Sequence, residues 1–465
     1  MKRREFIKST LGLAAAAALA PSWLKADVVP MDDSKPLPLG DVLFDKNIFY
    51  KNDAQTIIIF LGGGMSDVVG DIGHIQTIID EGLSEKAYPA GGLTPTRVEN
   101  GQWKGFWKEA GGDLLEEMLA NGDLNLFRTC YQTDPKLAHG INQSRYMHGN
   151  GVGYNSGIVS TLMHVLNQNS MIQDRAVLTN VAIDGSDYRL IEDGGTSQAL
   201  PSFLRAASIS RDLSNPYNYA ATTDGNVAVG DTTSTELLNS ANYSDRLTAL
   251  SQRHNLYDAL SDVFNRREEM SDFLDEVIND TLPVQYPSTI DGKKLEAAMR
   301  ILTKNPDTKI VSMLGGFSSW DDHSDAIINH KKRATELFEA IYAAVKHMAA
   351  VGKENINIVL FGDFGRNMNL NNAAGWDHGN NQVVYWFGGR KFFNRLGIVG
   401  ETDLDVWIPK ARLYTKPRNT SYQFSPYSIA STIYALYGVT NPEVLTGGYK
   451  AIDPSEHMGS SFLKV

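Results

Sequence analysis

Apolar positions along the chain follow two periods. "TIIIFLGGG" (Thr56–Gly64) is a continuous apolar run broken by glycines, the pattern of a strand buried on both faces. "DLLEEMLANGD" reads as a helix with Gly122 near its end, and "LNLFRT" as the next strand. The alternation returns late in the chain with the strand-like "KIVSML" (Lys309–Leu314). Ala334, Leu337, Phe338, Ile341, Val345 and Met348 then recur at helical spacing, and Gly352 follows as a stop. "NINIVLF" and "QVVYWF" read as two more strands. This order predicts an α/β fold with a mostly parallel central sheet flanked by helices. Residues 185–300 break the pattern. They are rich in Ser, Asn, Asp and Tyr, then pass into "RREEMSDFLDEVIND" and "KKLEAAMRILTKN", and predict a helical insertion. Residues 27–49 read as a linker or surface arm, and residues 50–465 as a single α/β domain carrying the insertion.

The first 26 residues read as an address. "KRREFIK" sets paired arginines before the apolar run Leu11–Ala20, with a cleavage position after Ala26. That combination predicts a twin-arginine signal, the twin-arginine translocase as a partner in export, and a periplasmic or secreted protein. The other reading is an amphipathic N-terminal helix. No later apolar run approaches the ~18–20 residues needed to span a bilayer. With 42% hydrophobic and 21% charged residues the chain is globular, and a net charge of −11 argues against a nucleic-acid partner or an anionic lipid surface. Cys130 is the only cysteine, so no internal disulfide can form, and a buried small hydrophobe is its expected role.

The candidate chemistry sits where strands are predicted to end. Asp67 follows the first; Asp321, Asp322 and His323 follow "KIVSML"; Asp363 ends "NINIVLFG"; Asp377-His378 precede "QVVYWF". Parallel sheets bind ligands beyond the carboxyl ends of their strands. Oxygen plus imidazole donors suit Zn²⁺ or Mn²⁺, and an oxygen-dominated set suits Mg²⁺ or Ca²⁺. Each acid alone reads equally well as a helix cap or turn residue. Four strand ends that agree point to one metal at the sheet edge.

"IIFLGGGMSD", "GGFSSWDDHSD", "FGDFGRN" and "GWDHGN", in this order behind such a signal, resemble the domain-of-unknown-function family fifteen-oh-one. That family is similar in fold to the alkaline phosphatase/sulfatase superfamily. The resemblance implies an alkaline-phosphatase-like fold and a metal-dependent hydrolase of phosphate or sulfate esters. It implies Asp67, Asp321, His323, Asp363 and His378 as metal ligands and Ser144, in "HGINQSRYMHGN", as a nucleophile. Arg366 or Arg145 would hold the substrate oxyanion. The sequence departs from the two-metal pattern in three places. Phe364 stands where a histidine is expected beside Asp363, Arg145 follows the serine, and Ser66 is inserted before Asp67.

Other signals mislead. Asp363-Phe364-Gly365 lacks the Gly-rich loop and catalytic loop of a kinase, and "HGNGVGYNSG" follows no clear strand. Cys130 lacks the following residues that formylglycine sulfatases need. Two classes stay open. One is an exported metal-dependent hydrolase of a small or polymeric ester. The other is a catalytically degraded binding or structural protein of the same fold.

Overall fold

The computed structural model describes residues 31, 35–133, 138–174, 176–185, 188–194, 199–214, 269–270, 272–316, 319–407 and 412–464. The first 26 residues, expected to be an export signal, and most of residues 185–300, expected to be an insertion, lie outside them. Eight strands form the main sheet: β1 (Gln55–Leu61), β2 (Leu124–Tyr131), β3 (Asn180–Ile183), β4 (Ala207–Ile209), β5 (Ile310–Leu314), β6 (Ile356–Gly362), β7 (Asn381–Gly388) and β8 (Ile398–Val399). Their spatial order is β8-β2-β7-β6-β1-β5-β3-β4. β1 pairs in parallel with β5 and β6, so strands from both ends of the chain interleave at the sheet centre.

Every residue of β1 and β6 is buried. Alternation sorts the β1 side chains into two cores. Ile57, Ile59 and Leu61 join one cluster with residues from the helices α1 (Gly112–Ala120), α4 (Ile290–Lys304) and α5 (Ala326–Ala350). Ile58 and Phe60 join a second with α3 (Ile158–Gln168) and α6 (Tyr427–Leu436). The result is helix–sheet–helix layering, as a doubly buried strand demands. Cys130 lies fully buried in the second cluster.

β7 departs from the parallel expectation. It runs antiparallel to both neighbours, β2 and β6. Its first residue therefore meets the edge at which the parallel strands end, and this reversal delivers His378 to that edge. The chain before β1 is pinned to the body: Asp45 N–H donates to the Gly438 carbonyl at 2.8 Å, and Leu43 N–H donates to Asn441 Oδ1 at 2.7 Å.

Candidate metal centre

Four segments converge past that edge. The β5–α5 loop carries Asp321 and His323. It is held by Trp320, wholly buried, whose backbone N–H donates to the Gly62 carbonyl and whose indole donates to the Gly315 carbonyl, both at 2.8 Å. Residues alternate here. Asp321 and His323 face the centre, while Asp322 turns inward to accept from His330 Nδ1 at 2.7 Å and from Arg333. His330 Nε2 in turn accepts the Ser66 N–H at 3.0 Å. Burial depresses the His330 pKa, which keeps the ring neutral and able to both donate and accept. After β6, Gly365–Arg366 pairs antiparallel with His378–Gly379 and sets His378 opposite Arg366. After β2, His139 opens the helix α2 (His139–His148).

The donors of His139, Asp321, His323 and His378 lie within 4.8 Å of one another. Asp321 Oδ1 is 3.1 Å from His139 Nε2, 2.9 Å from His323 Nε2 and 3.6 Å from His378 Nε2. His323 Nε2 and His378 Nε2 are 3.0 Å apart. A tetrahedral ion about 2.0–2.1 Å from each donor would space them by about 3.3 Å, so the set fits one Zn²⁺-sized cation. Three imidazole nitrogens and one carboxylate oxygen suit zinc better than Mg²⁺ or Ca²⁺.

Carboxylates fix two of the rings from behind. Asp363 Oδ2 lies 2.7 Å from His139 Nδ1, and Asp377 Oδ1 lies 2.9 Å from His323 Nδ1. A carboxylate only accepts, so each ring turns Nδ1–H to its acid and leaves the Nε2 lone pair to the centre. For His139, burial alone would lower the pKa, but the bonds to Asp321 and Asp363 raise it to about 9. For His323 the bonds to Asp321 and Asp377 raise it to about 9. Burial works against the Asp321 anion, yet contacts from His139, His323, His378 and Arg366 hold its carboxyl well below the usual range. With the rings neutral, as ligation requires, the three carboxylates of Asp321, Asp363 and Asp377 outnumber the two guanidinium groups of Arg366 and Arg412, and that excess of negative charge favours a divalent cation.

The residues singled out from sequence fall into three groups. Asp321, His323 and His378 meet. Asp363 stands one residue removed, behind His139. Asp67 is elsewhere: it is buried beside Asn381 and accepts from the Thr415 hydroxyl, and burial raises its pKa to about 8. The 3-10 turn Asp67–Val69, capped by the Ser66 hydroxyl, carries it away from the centre. Ser144 sits five residues along α2 from His139, about 140° round the helix. The same-face neighbour of His139 is Gln143, whose Nε2 donates to Asp363 Oδ2 at 3.3 Å. Arg366 is wholly buried. Its guanidinium donates to the Gly63 and Trp376 carbonyls and to Asp321, so it is a strut beneath the centre with no face for substrate. Neither His139 nor Arg412 is marked by the motifs, and Asp377, which is marked beside His378, stands behind His323 instead of facing the centre. For His139 the signal was present: it follows a strand, "LNLFRTCY", after a short loop, as the other candidates do.

No curated protein matches the chain. Solved structures similar to it include the zinc complex of the C-terminal periplasmic domain of EcEptC from Escherichia coli (10% identical, covering 90% of this chain and 92% of that one, TM-score 0.37). Others are the PsFucS1 sulfatase from Pseudoalteromonas sp. (12% identical, 90% and 75% covered, TM-score 0.37) and the lipoteichoic acid synthase LtaP from Listeria monocytogenes (8% identical, 92% and 85% covered, TM-score 0.32). The model of the family described as "Protein of unknown function (DUF1501)" matches residues 116–451, most of the chain that carries the strands, all four converging segments and both carboxylates behind the rings; the chain belongs to that family.

Proposed function

We propose that the protein is an exported, metal-dependent hydrolase of phosphate or sulfate esters, with one divalent cation held by His139, Asp321, His323 and His378. The observation that carries this reading is the convergence of four donors within 4.8 Å of one another on a rim partly open to solvent, where the Asp321 and His323 side chains are 33% and 43% exposed. A bound cation of this kind supplies Lewis acidity and lowers the pKa of water at neutral pH. The chain's residues do the rest. Asp363 and Asp377 hold two rings in the ligating tautomer, and Arg366 keeps Asp321 ionised and in place. Ser144 lies about 140° round α2 from His139, which favours water over a serine hydroxyl as the nucleophile.

A second reading has its own support. Four protein donors complete a tetrahedron, which is the habit of structural zinc sites rather than catalytic ones. The protein would then be a non-catalytic member of the same fold that binds a polymer or a partner protein. One experiment separates the two. Purified mature protein, loaded with zinc, is assayed for metal content and for hydrolysis of an aryl phosphate and an aryl sulfate, alongside Asp321→Asn and His323→Ala. Stoichiometric metal with metal-dependent turnover supports the hydrolase; metal without turnover supports the binding protein; no metal in any of the three removes the centre.

A further inference from the structure

We propose that Arg412 is a positioning residue for this centre, acting through Asp377 on His323; the proposal rests on the metal reading above. Asp377 is a two-sided bridge. Its Oδ1 faces His323 Nδ1 at 2.9 Å and its Oδ2 faces Arg412 Nη2 at 2.9 Å. With one oxygen committed to each partner, the carboxylate plane is set, and through it the direction of the His323 Nε2 lone pair.

Arg412 is itself held. It begins a strand, Arg412–Pro417, that pairs antiparallel with Thr402–Trp407. The Thr402 hydroxyl donates to Asp71 and the Thr415 hydroxyl to Asp67, two buried acids in the turn after β1. Leu413 N–H donates to Asn369 Oδ1 at 2.8 Å, and the Leu413 carbonyl accepts the Met368 N–H at 2.7 Å. The hairpin is thus fastened to the body next to the residue that reaches the centre. Arg412 and Asp377 are 19% and 18% exposed, so water competes weakly for the bridge.

Two effects of removing the guanidinium oppose each other. Deleting a cation near the centre would tighten binding of a divalent ion by simple charge. Releasing Asp377 would loosen the ring and weaken it. If Arg412 positions the ring, the second wins, and Arg412→Met lowers zinc affinity by about tenfold or more, the range for partners behind a ligating histidine. The measurement is zinc affinity of the whole mature protein by chelator competition, for wild type, Arg412→Met, Asp377→Asn and the double variant, with the visible spectrum of the Co²⁺-loaded forms. The expected result is that Arg412→Met weakens binding, changes the Co²⁺ bands as Asp377→Asn does, and adds less than about twofold in the Asp377→Asn background. Unchanged or tighter binding by Arg412→Met, or losses that multiply in the double variant, would overturn the proposal. Arg412→Leu, which likewise lacks a donor, takes the place of Arg412→Met if the latter does not fold. Failure of wild type to bind zinc would instead remove the centre itself.

Discussion

Asp363 is wholly buried and meets three partners at once. The Gly63 N–H donates to its Oδ1 at 3.1 Å, while His139 Nδ1 and Gln143 Nε2 approach its Oδ2 at 2.7 and 3.3 Å. An amide at this position would place an NH₂ group against one of these donors. Relief by turning the His139 tautomer would protonate the Nε2 that faces the cation. Asp363→Asn should therefore weaken zinc binding by roughly ten- to a hundredfold, measured by chelator competition. Equal affinity would show that Asp363 is only a packing acid. The same rings predict a pH signature. His139 and His323 have pKa values near 9 in the metal-free fold, above the ordinary value of 6.5. Between those limits the folded apoprotein holds more protons than the unfolded chain, so its stability falls as pH rises from about 6.5 to about 9. Zinc must displace those protons, so its affinity rises over the same interval. Melting curves with chelator and with excess zinc should thus draw apart as pH increases; parallel curves would refute the coupling.

Elements bring these residues together through a loop that tolerates no side chain. After β1, Gly63 and Gly64 take φ values of +107° and +80°, in the region that favours glycine. A Cβ at Gly64 would collide with the Phe364 carbonyl oxygen, and one at Gly63 with the Asp321 backbone. The β1 loop is therefore the surface on which the Asp321 and Asp363 loops rest. Gly64→Ala adds backbone strain of about 1–3 kcal/mol and pushes on the segment after Asp363. It should lower stability by at least that range in denaturant titration and weaken zinc binding as well. Loss of stability with zinc affinity intact would mean that the loops adjust independently. The predicted strands after Lys309, Asn355 and Gln382 and the helix ended by Gly352 are present, with helix α5 stopping at Ala350 and Gly352 at φ +67°. They were legible because long apolar runs and 3.6-residue repeats are local properties. The direction of β7 was not, because a buried run reads the same whether it pairs parallel or antiparallel.

At the scale of the whole molecule, the chain combines an acidic body with a basic amino terminus, and the described helices include none long and apolar enough to cross a membrane. Export is the natural setting of the proposed activity, and it is testable apart from the chemistry. Replacing Arg3 and Arg4 by lysine should leave precursor in the cytoplasm, seen by fractionation, because the arginine pair is the receptor-read element. Unchanged export would show that Arg3 and Arg4 are not a translocation signal.

The sequence by itself determined the alternation of strands and helices, the membership of the family and three of the converging donors, Asp321, His323 and His378. Each followed from local pattern or from a short motif beside a strand end. Only the tertiary structure decided how the rest divide. It turned Asp363 from the four-donor cluster toward His139, carried Asp67 into a buried site with Thr415 and Asn381, set Arg366 beneath Asp321, and left Ser144 on another face of its helix. It also drew in His139 and Arg412 from segments far apart in the chain and set Asp377 behind His323. The physical reason is that a motif places a residue at a strand end to within a few ångströms, whereas ligation is decided by side-chain direction. Direction depends on which partner, cation or neighbouring ring, each oxygen meets first, and those partners are brought by strand order and by the reversal of β7.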